Sequence, residues 1–141
     1  MGPSARKIVV HTDLLVDFLT HRSRGTSALR RMMSHSFCYT TVFNAIELFA
    51  LAGSERESRL VAEALSSLKI LGLNAKNAPA YGRLFASAKK TGVLNLLVAG
   101  LCIESKLPLV TGKASEFRGI RALKVMTPAQ LEKACRAARP R

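Results

Sequence analysis

Acidic residues are scarce in this chain of 141 residues: 9 Asp and Glu stand against 22 Lys and Arg, a formal net charge of +13. Any carboxylate chemistry must come from Asp13, Asp17, Glu47, Glu55, Glu57, Glu63, Glu104, Glu116 or Glu132. Such an excess of positive charge attracts polyanions, of which RNA and DNA are the commonest. Tryptophan is absent and aromatics make up only 6% of the residues, which excludes an extended base-stacking platform and directs nucleic-acid contact to phosphates. The three cysteines, Cys38, Cys102 and Cys135, are odd in number and show no CxxC spacing. They exclude a disulfide framework and a zinc site, and a reducing cytoplasm is the expected setting. Long hydrophobic runs are also missing. The stretch from Val93 to Ile103 is interrupted by Asn95 and closed by Glu104, well short of the roughly 20 residues of a membrane helix, so no membrane partner is expected. Arg6 and Lys7 precede only Ile8 to Val10 before polar His11, too short for a signal-peptide core.

What is present is a foldable pattern. With 48% hydrophobic residues and a mean hydropathy of +0.15, the chain can bury a core and is not a disordered basic tail. Ile8-Val9-Val10 reads as a short buried strand, followed by a helix from Leu14 to Thr20 that Thr12 or Asp13 could cap. A helix around Ser27 to Ser34 and a strand from Phe37 to Thr40 follow. Two more helices are expected from Val42 to Ala52 and, capped by Ser54, from Glu55 to Leu68. Ile70 to Leu73 is a third strand, and helix signals return over Ala78–Lys90 and Leu94–Ser105, the latter apolar enough to be buried all round. Strands at Pro108–Thr111 and Leu123–Met126 precede a C-terminal helix opened by Thr127-Pro128. Strands alternating with helices predict a single domain over residues 1–141, a three-layer α/β/α sandwich with a mainly parallel central sheet. Its core spans about residues 8–128, and a basic helix covers 128–141. In such folds sites lie beyond the carboxyl ends of the strands, which draws attention to His11-Thr12-Asp13, to the helix bearing Glu47 after Thr41, and to Thr111 through Glu116.

Those positions carry a family resemblance. Val9-Val10-His11-Thr12-Asp13-Leu14-Leu15-Val16-Asp17 resembles the opening of PIN domains, a strand running into Asp-Thr-Asn/Ser-x-Leu-x-Asp. Ala45-Ile46-Glu47-Leu48 is similar to the family's helical Glu-Leu, and Asn95-Leu96-Leu97-Val98-Ala99 to its Asp-Leu-Ile-Ala-Ala. Leu109-Val110-Thr111-Gly112-Lys113-Ala114-Ser115-Glu116-Phe117 resembles the strand leading into Thr-x-Asn/Asp-x-x-Asp-Phe, and Leu123 to Pro128 resembles the last strand and the start of the terminal helix. The resemblance implies a PIN-like fold and a metal-dependent endoribonuclease, most like the VapC toxins of toxin–antitoxin modules. In such a site Asp13, Glu47 and Glu116 would hold Mg²⁺ or Mn²⁺, which orients water and stabilises charge on the phosphate. The resemblance also implies an antitoxin as protein partner and a homodimer, with contact faces on the helices between residues 42 and 68.

The departures from the family pattern bear on that site. His11 occupies the first Asp position, Asn95 the third acid, Lys113 the Asn/Asp position and Glu116 the fourth acid, leaving Glu47 the one unaltered core acid. Neutral ligands and a cation remove the charge that a hard metal needs, so metal binding is expected to be weak and activity impaired. The alternative outcome is an inactive PIN-like domain that binds RNA or a protein partner. Residue by residue, Asp13 reads as metal ligand or helix cap, and His11 and Asn95 as site residues or local hydrogen-bonders. Glu47, in an apolar helix, calls for a partner and so for a cluster. Lys113 reads as a phosphate contact or as a charge standing where a metal would be. Thr12, Thr111, Arg22 and Arg24 complete the expected RNA-binding set.

Overall fold

The computed structural model describes residues 6–20 and 27–138; Arg22 and Arg24 lie outside the described residues. Five strands, β1 (Arg6–Val10), β2 (Ser36–Thr41), β3 (Lys69–Leu71), β4 (Leu109–Val110) and β5 (Val125–Met126), form one sheet in the order β3-β2-β1-β4-β5. Every pairing is parallel, with Val9 opposite both Tyr39 and Leu109. The sheet is flanked by α1 (Thr12–Thr20), α2 (Ala28–Met33), α3 (Val42–Leu51), α4 (Glu55–Leu65), α5 (Ala78–Ser87), α6 (Val93–Ser105) and α7 (Pro128–Ala137).

The two layers follow from the period of two along a strand. Ile8 and Val10 of β1 and Val110 of β4 enter one core with Leu15, Leu29, Leu48, Val61 and Leu131, so α1, α2, α3, α4 and α7 cover that face. Val9 and Leu109 point the other way, into a second core with Leu96, Val98, Ala99, Cys102 and Phe117, which α6 covers. Both faces of the sheet are therefore apolar, as parallel sheets require. The cysteines are packing residues: burial pushes the thiols of Cys38 and Cys102 up to about 12.

The expected elements all form, with shifted ends. The first helix starts at Thr12, not Leu14, because the Leu14 N–H already bonds the His11 carbonyl at 3.1 Å as the chain leaves β1. The fourth helix stops at Leu65 and the fifth at Ser87, short of the expected Leu68 and Lys90, and the last two strands shrink to two residues each. The sixth helix is buried through its middle, Leu96 to Cys102 apart from half-buried Leu97, but not all round: Val93 is 63% exposed and Glu104 faces solvent. The starts of α3 and α7 are fixed by reciprocal capping boxes, Thr41 with Asn44 and Thr127 with Gln130.

Candidate functional site

The strand order reverses direction at β1, whose neighbours β2 and β4 are reached by chain segments leading to opposite edges of the sheet. The crevice beyond the carboxyl ends of β1 and β4 is where an open parallel sheet leaves room for a ligand. Here it is a cleft of about 770 Å³ lined by His11, Thr12, Asp13, Glu47, Asn95, Lys113 and Glu116, with Val93 and Leu94 along one wall. Seven of the expected site residues thus share one cleft, and an eighth, Thr111, lies fully buried beneath it.

Two hydrogen-bond systems order the floor. The first ties the ends of β1 and β4 together through Asp13. Asp13 Oδ2 accepts the Gly112 N–H at 2.8 Å, and Oδ1 accepts the Thr111 hydroxyl at 3.2 Å and lies 3.2 Å from His11 Nδ1. His11 Nδ1 is also 2.9 Å from Thr111 Oγ1, which in turn accepts the Lys113 N–H at 3.0 Å. Burial pushes the Asp13 carboxyl up, but the bonds from His11, Gly112 and Thr111 and the attraction of His11 outweigh it and hold the group below its ordinary range. Gly112 makes this approach possible: a Cβ there would stand 2.7 Å from Asp13 Oδ2. The His11 ring stands edge-on to Phe117 with centroids 5.2 Å apart, and only 5% of the residue is exposed.

The second system crosses to α3. Thr41 Oγ1 donates to Asn44 Oδ1 at 2.7 Å, Asn44 Nδ2 donates to Thr12 Oγ1 at 2.8 Å, and Thr12 Oγ1 donates to Glu47 Oε1 at 2.7 Å. Glu47 is half-buried and finds the partner that its apolar helix demanded in Thr12. Across the cleft Asn95 Nδ2 reaches Glu116 Oε2 at 3.4 Å, a long contact between partly open groups, so Asn95 serves as a link from α6 to the loop after β4.

Asp13 is therefore not a helix cap. It lies inside the first turn of α1, and its carboxylate reaches across to β4 instead of back to the helix N–H groups. Asp13, Glu47 and Glu116 all line this cleft. Each carboxylate is engaged separately, by Gly112 and Thr111, by Thr12 and by Asn95, and among the described residues no group of three or more His, Cys, Asp or Glu side chains is placed to hold a metal ion. A hard divalent cation needs several anionic oxygens at about 2.0–2.6 Å. A neutral amide at Asn95, an imidazole turned toward Asp13 and an ammonium at Lys113 in the same cleft make a poor donor set for one.

Asn44, Gly112 and Phe117 shape the site without having been singled out from the sequence. Asn44 was visible as a polar residue three positions after a strand-ending Thr, a capping-box spacing. Gly112 and Phe117 act on residues about a hundred positions away, a separation with no local signal.

No protein-family model matches the sequence, and no curated protein matches it. Solved structures do. A DNA-bound VapBC complex from Salmonella typhimurium aligns at a TM-score of 0.76 with 19% identity, covering 87% of this chain and 98% of that one. VapBC2 from Rickettsia felis, bound to a fragment of its promoter, aligns at 0.72 with 20% identity over 86% and 98%. FitAB bound to a DNA fragment aligns at 0.66 with 14% identity over 86% and 94%. At these identities the likeness is one of fold: the chain adopts the PIN-like α/β fold over most of its length.

Proposed function

We propose that this chain is a VapC-like PIN-domain protein of the toxin–antitoxin type whose strand-end cleft receives the backbone of single-stranded RNA. The observation that carries the reading is the cleft at the β1/β4 switch, where the Lys113 ammonium and the Asn95 amide present donors to a phosphate beside His11, in a chain of net charge +13. Exposed Arg30, Arg31, Lys89 and Lys90 supply further positive charge for flanking phosphates. The donor set favours binding without a resident divalent ion. Metal-dependent hydrolysis, the activity of complete PIN sites, is the reading that the tests below oppose.

Anisotropy of a labelled single-stranded RNA titrated across salt tests the binding. The logarithm of the affinity is expected to fall with the logarithm of salt by about 0.7 per phosphate neutralised. Lys113→Glu is expected to weaken binding about tenfold, the effect of losing one phosphate contact and adding a repulsion. Salt-independent affinity, or unchanged binding by the variant, would overturn the reading. Calorimetric titration with Mn²⁺ to millimolar is expected to show no uptake; uptake abolished by Glu47→Gln would restore the metal-dependent nuclease.

Protein partners are part of the same proposal. A groove of about 340 Å³ lined by Val16, Leu19, Leu48, Leu51, Leu60 and Val61 suits an apolar segment of an antitoxin. Ile46, Phe49 and Leu51, 56%, 43% and 67% exposed, leave an apolar face on α3 that a homodimer would cover. Light scattering tests the latter: Ile46→Glu with Phe49→Glu is expected to convert a dimer to a monomer, and a wild type that is monomeric throughout would remove the dimer from the proposal.

A further inference from the structure

The hydrogen bonds around His11 fix which ring nitrogen carries its proton. Thr111 has one hydroxyl hydrogen, donated to Asp13 Oδ1, while its oxygen accepts the Lys113 N–H and lies 2.9 Å from His11 Nδ1. A carboxylate oxygen also lies 3.2 Å from that Nδ1. Both neighbours are satisfied only if Nδ1 bears a hydrogen, because a lone pair there would face two oxygens with no proton between them. In the neutral ring, therefore, the basic lone pair is on Nε2. Among the described residues none is bonded to Nε2 and no buried side-chain nitrogen or oxygen is left without a partner, so Nε2 is not sealed in the core. His11 is one of the residues that line the cleft, and with Nδ1 turned to Asp13 and Thr111 we infer that the Nε2 edge is the one presented to it.

This is an imidazole oriented through one nitrogen by an ionised carboxylate and a buried hydroxyl, with the other nitrogen open to a cleft that also holds an ammonium group. We propose that the cleft cleaves RNA without a metal, by transesterification, with His11 Nε2 as the base, Lys113 as the charge stabiliser, and Asp13 and Thr111 as positioning residues. The inference rests on the RNA reading above and names the chemistry that the same cleft performs.

The step balances with RNA and water alone. His11 Nε2 takes the proton of a ribose 2′-hydroxyl, and the 2′ oxygen forms a bond to the adjacent phosphorus. The bond from phosphorus to the 5′ oxygen breaks, its electron pair leaves with that oxygen, and a water supplies the proton the oxygen takes up. His11 then returns its proton to the solvent. The products are a 2′,3′-cyclic phosphate and a 5′-hydroxyl. The Lys113 ammonium stabilises the charge that builds on the non-bridging oxygens as the new bond forms.

The test incubates an end-labelled single-stranded RNA with the full chain in excess EDTA, beside an all-deoxy strand of the same sequence, and measures binding of both by anisotropy. Cleavage of the RNA alone, with a cyclic phosphate end, is expected. His11→Asn, whose amide keeps a donor facing Asp13 and Thr111 but offers no base, is expected to lose about 10²–10⁴-fold in rate with RNA affinity retained. Thr111→Val is expected to slow cleavage and Thr111→Ser to restore it, a rescue that separates positioning from packing. Cleavage that persists in His11→Asn prepared in the same way, or that needs Mg²⁺ or Mn²⁺, would overturn the inference. RNA bound but uncut would overturn it while leaving the RNA reading intact; RNA left unbound would remove both.

Discussion

Replacing Asp13 by Asn tests the link between β1 and β4 directly. The carboxylate accepts from Gly112 at 2.8 Å and from Thr111 at 3.2 Å, and faces His11 Nδ1 at 3.2 Å. An Asn has one acceptor oxygen where Asp has two, so in either rotamer its NH₂ opposes a donor: the Gly112 N–H in one, the His11 N–H in the other. Hydrogen bonds to a charged group contribute about 1.5–3 kcal/mol each. Gly112 lies at the surface, where its N–H can turn to water, which places the expected loss near the lower end, at about 2 kcal/mol. For a domain of this size that is a fall in Tm of about 7 °C, read by circular dichroism at pH 7. The pH dependence carries the sign. The folded carboxyl titrates below its usual 3.8, so its stabilisation is complete above that value and is lost as pH falls through the folded pKa. The wild type should converge on the variant in acid, where a protonated Asp13 resembles Asn. A gap in Tm that stays constant between neutral and acid pH, or no gap at pH 7, would refute the role of the ionised carboxylate.

Other substitutions probe the rest of the frame. Asn44 is fully buried and bonds Thr12 and Thr41; Asn44→Ala leaves both hydroxyls short of a partner and is expected to cost about 3 kcal/mol in urea unfolding. At Gly100 a Cβ would meet Tyr81 Cε2 at 2.3 Å, and the ring is tethered by its hydroxyl to Glu104 Oε2 at 2.7 Å, so Gly100→Ala is expected to destabilise by about 1–3 kcal/mol, and an unchanged urea midpoint would contradict that packing. His11→Asp with Asn95→Asp adds two carboxylates beside Glu47 and Glu116; calorimetry is expected to show Mn²⁺ uptake in this variant and none in the wild type, and silence in the variant would mean that something other than the missing acids, Lys113 first, keeps a cation out.

The fold was legible because its signals are local. Ile8-Val9-Val10 is β-branched and apolar on both sides, and the structure sends alternate residues into two cores. Thr127-Pro128 carries both a cap and a residue suited to the first helical turn, and the helix starts there. The ends were less legible because tertiary bonds set them. The first helix begins two residues early, where the turn out of β1 closes on the His11 carbonyl, and β4 and β5 shrink to two residues each, a length no window of sequence defines.

The site was legible as a set of positions but not as a set of partnerships. Strand ends pointed to His11, Asp13, Thr111 and Lys113, yet Asp13 read as a cap or a metal ligand because its actual partners lie 98 and 99 residues away. That pairing changes the meaning of the substitutions around it. A His in place of an acid is a loss if the site must hold a cation, since it removes an anionic oxygen. Beside an ionised Asp13 that accepts from its Nδ1 side, the same His is placed to act as the oriented base of the proposed reaction, and Lys113, which would repel a cation, would instead offer charge to a phosphate. The scarcity of acids and the bonding of Asp13 thus point the same way, toward the proposed metal-free chemistry: Lys113 is the group in the cleft with N–H donors for an anion, while the N–H of His11 and the O–H of Thr111 are spent on Asp13 and its surroundings and leave His11 Nε2 as the base.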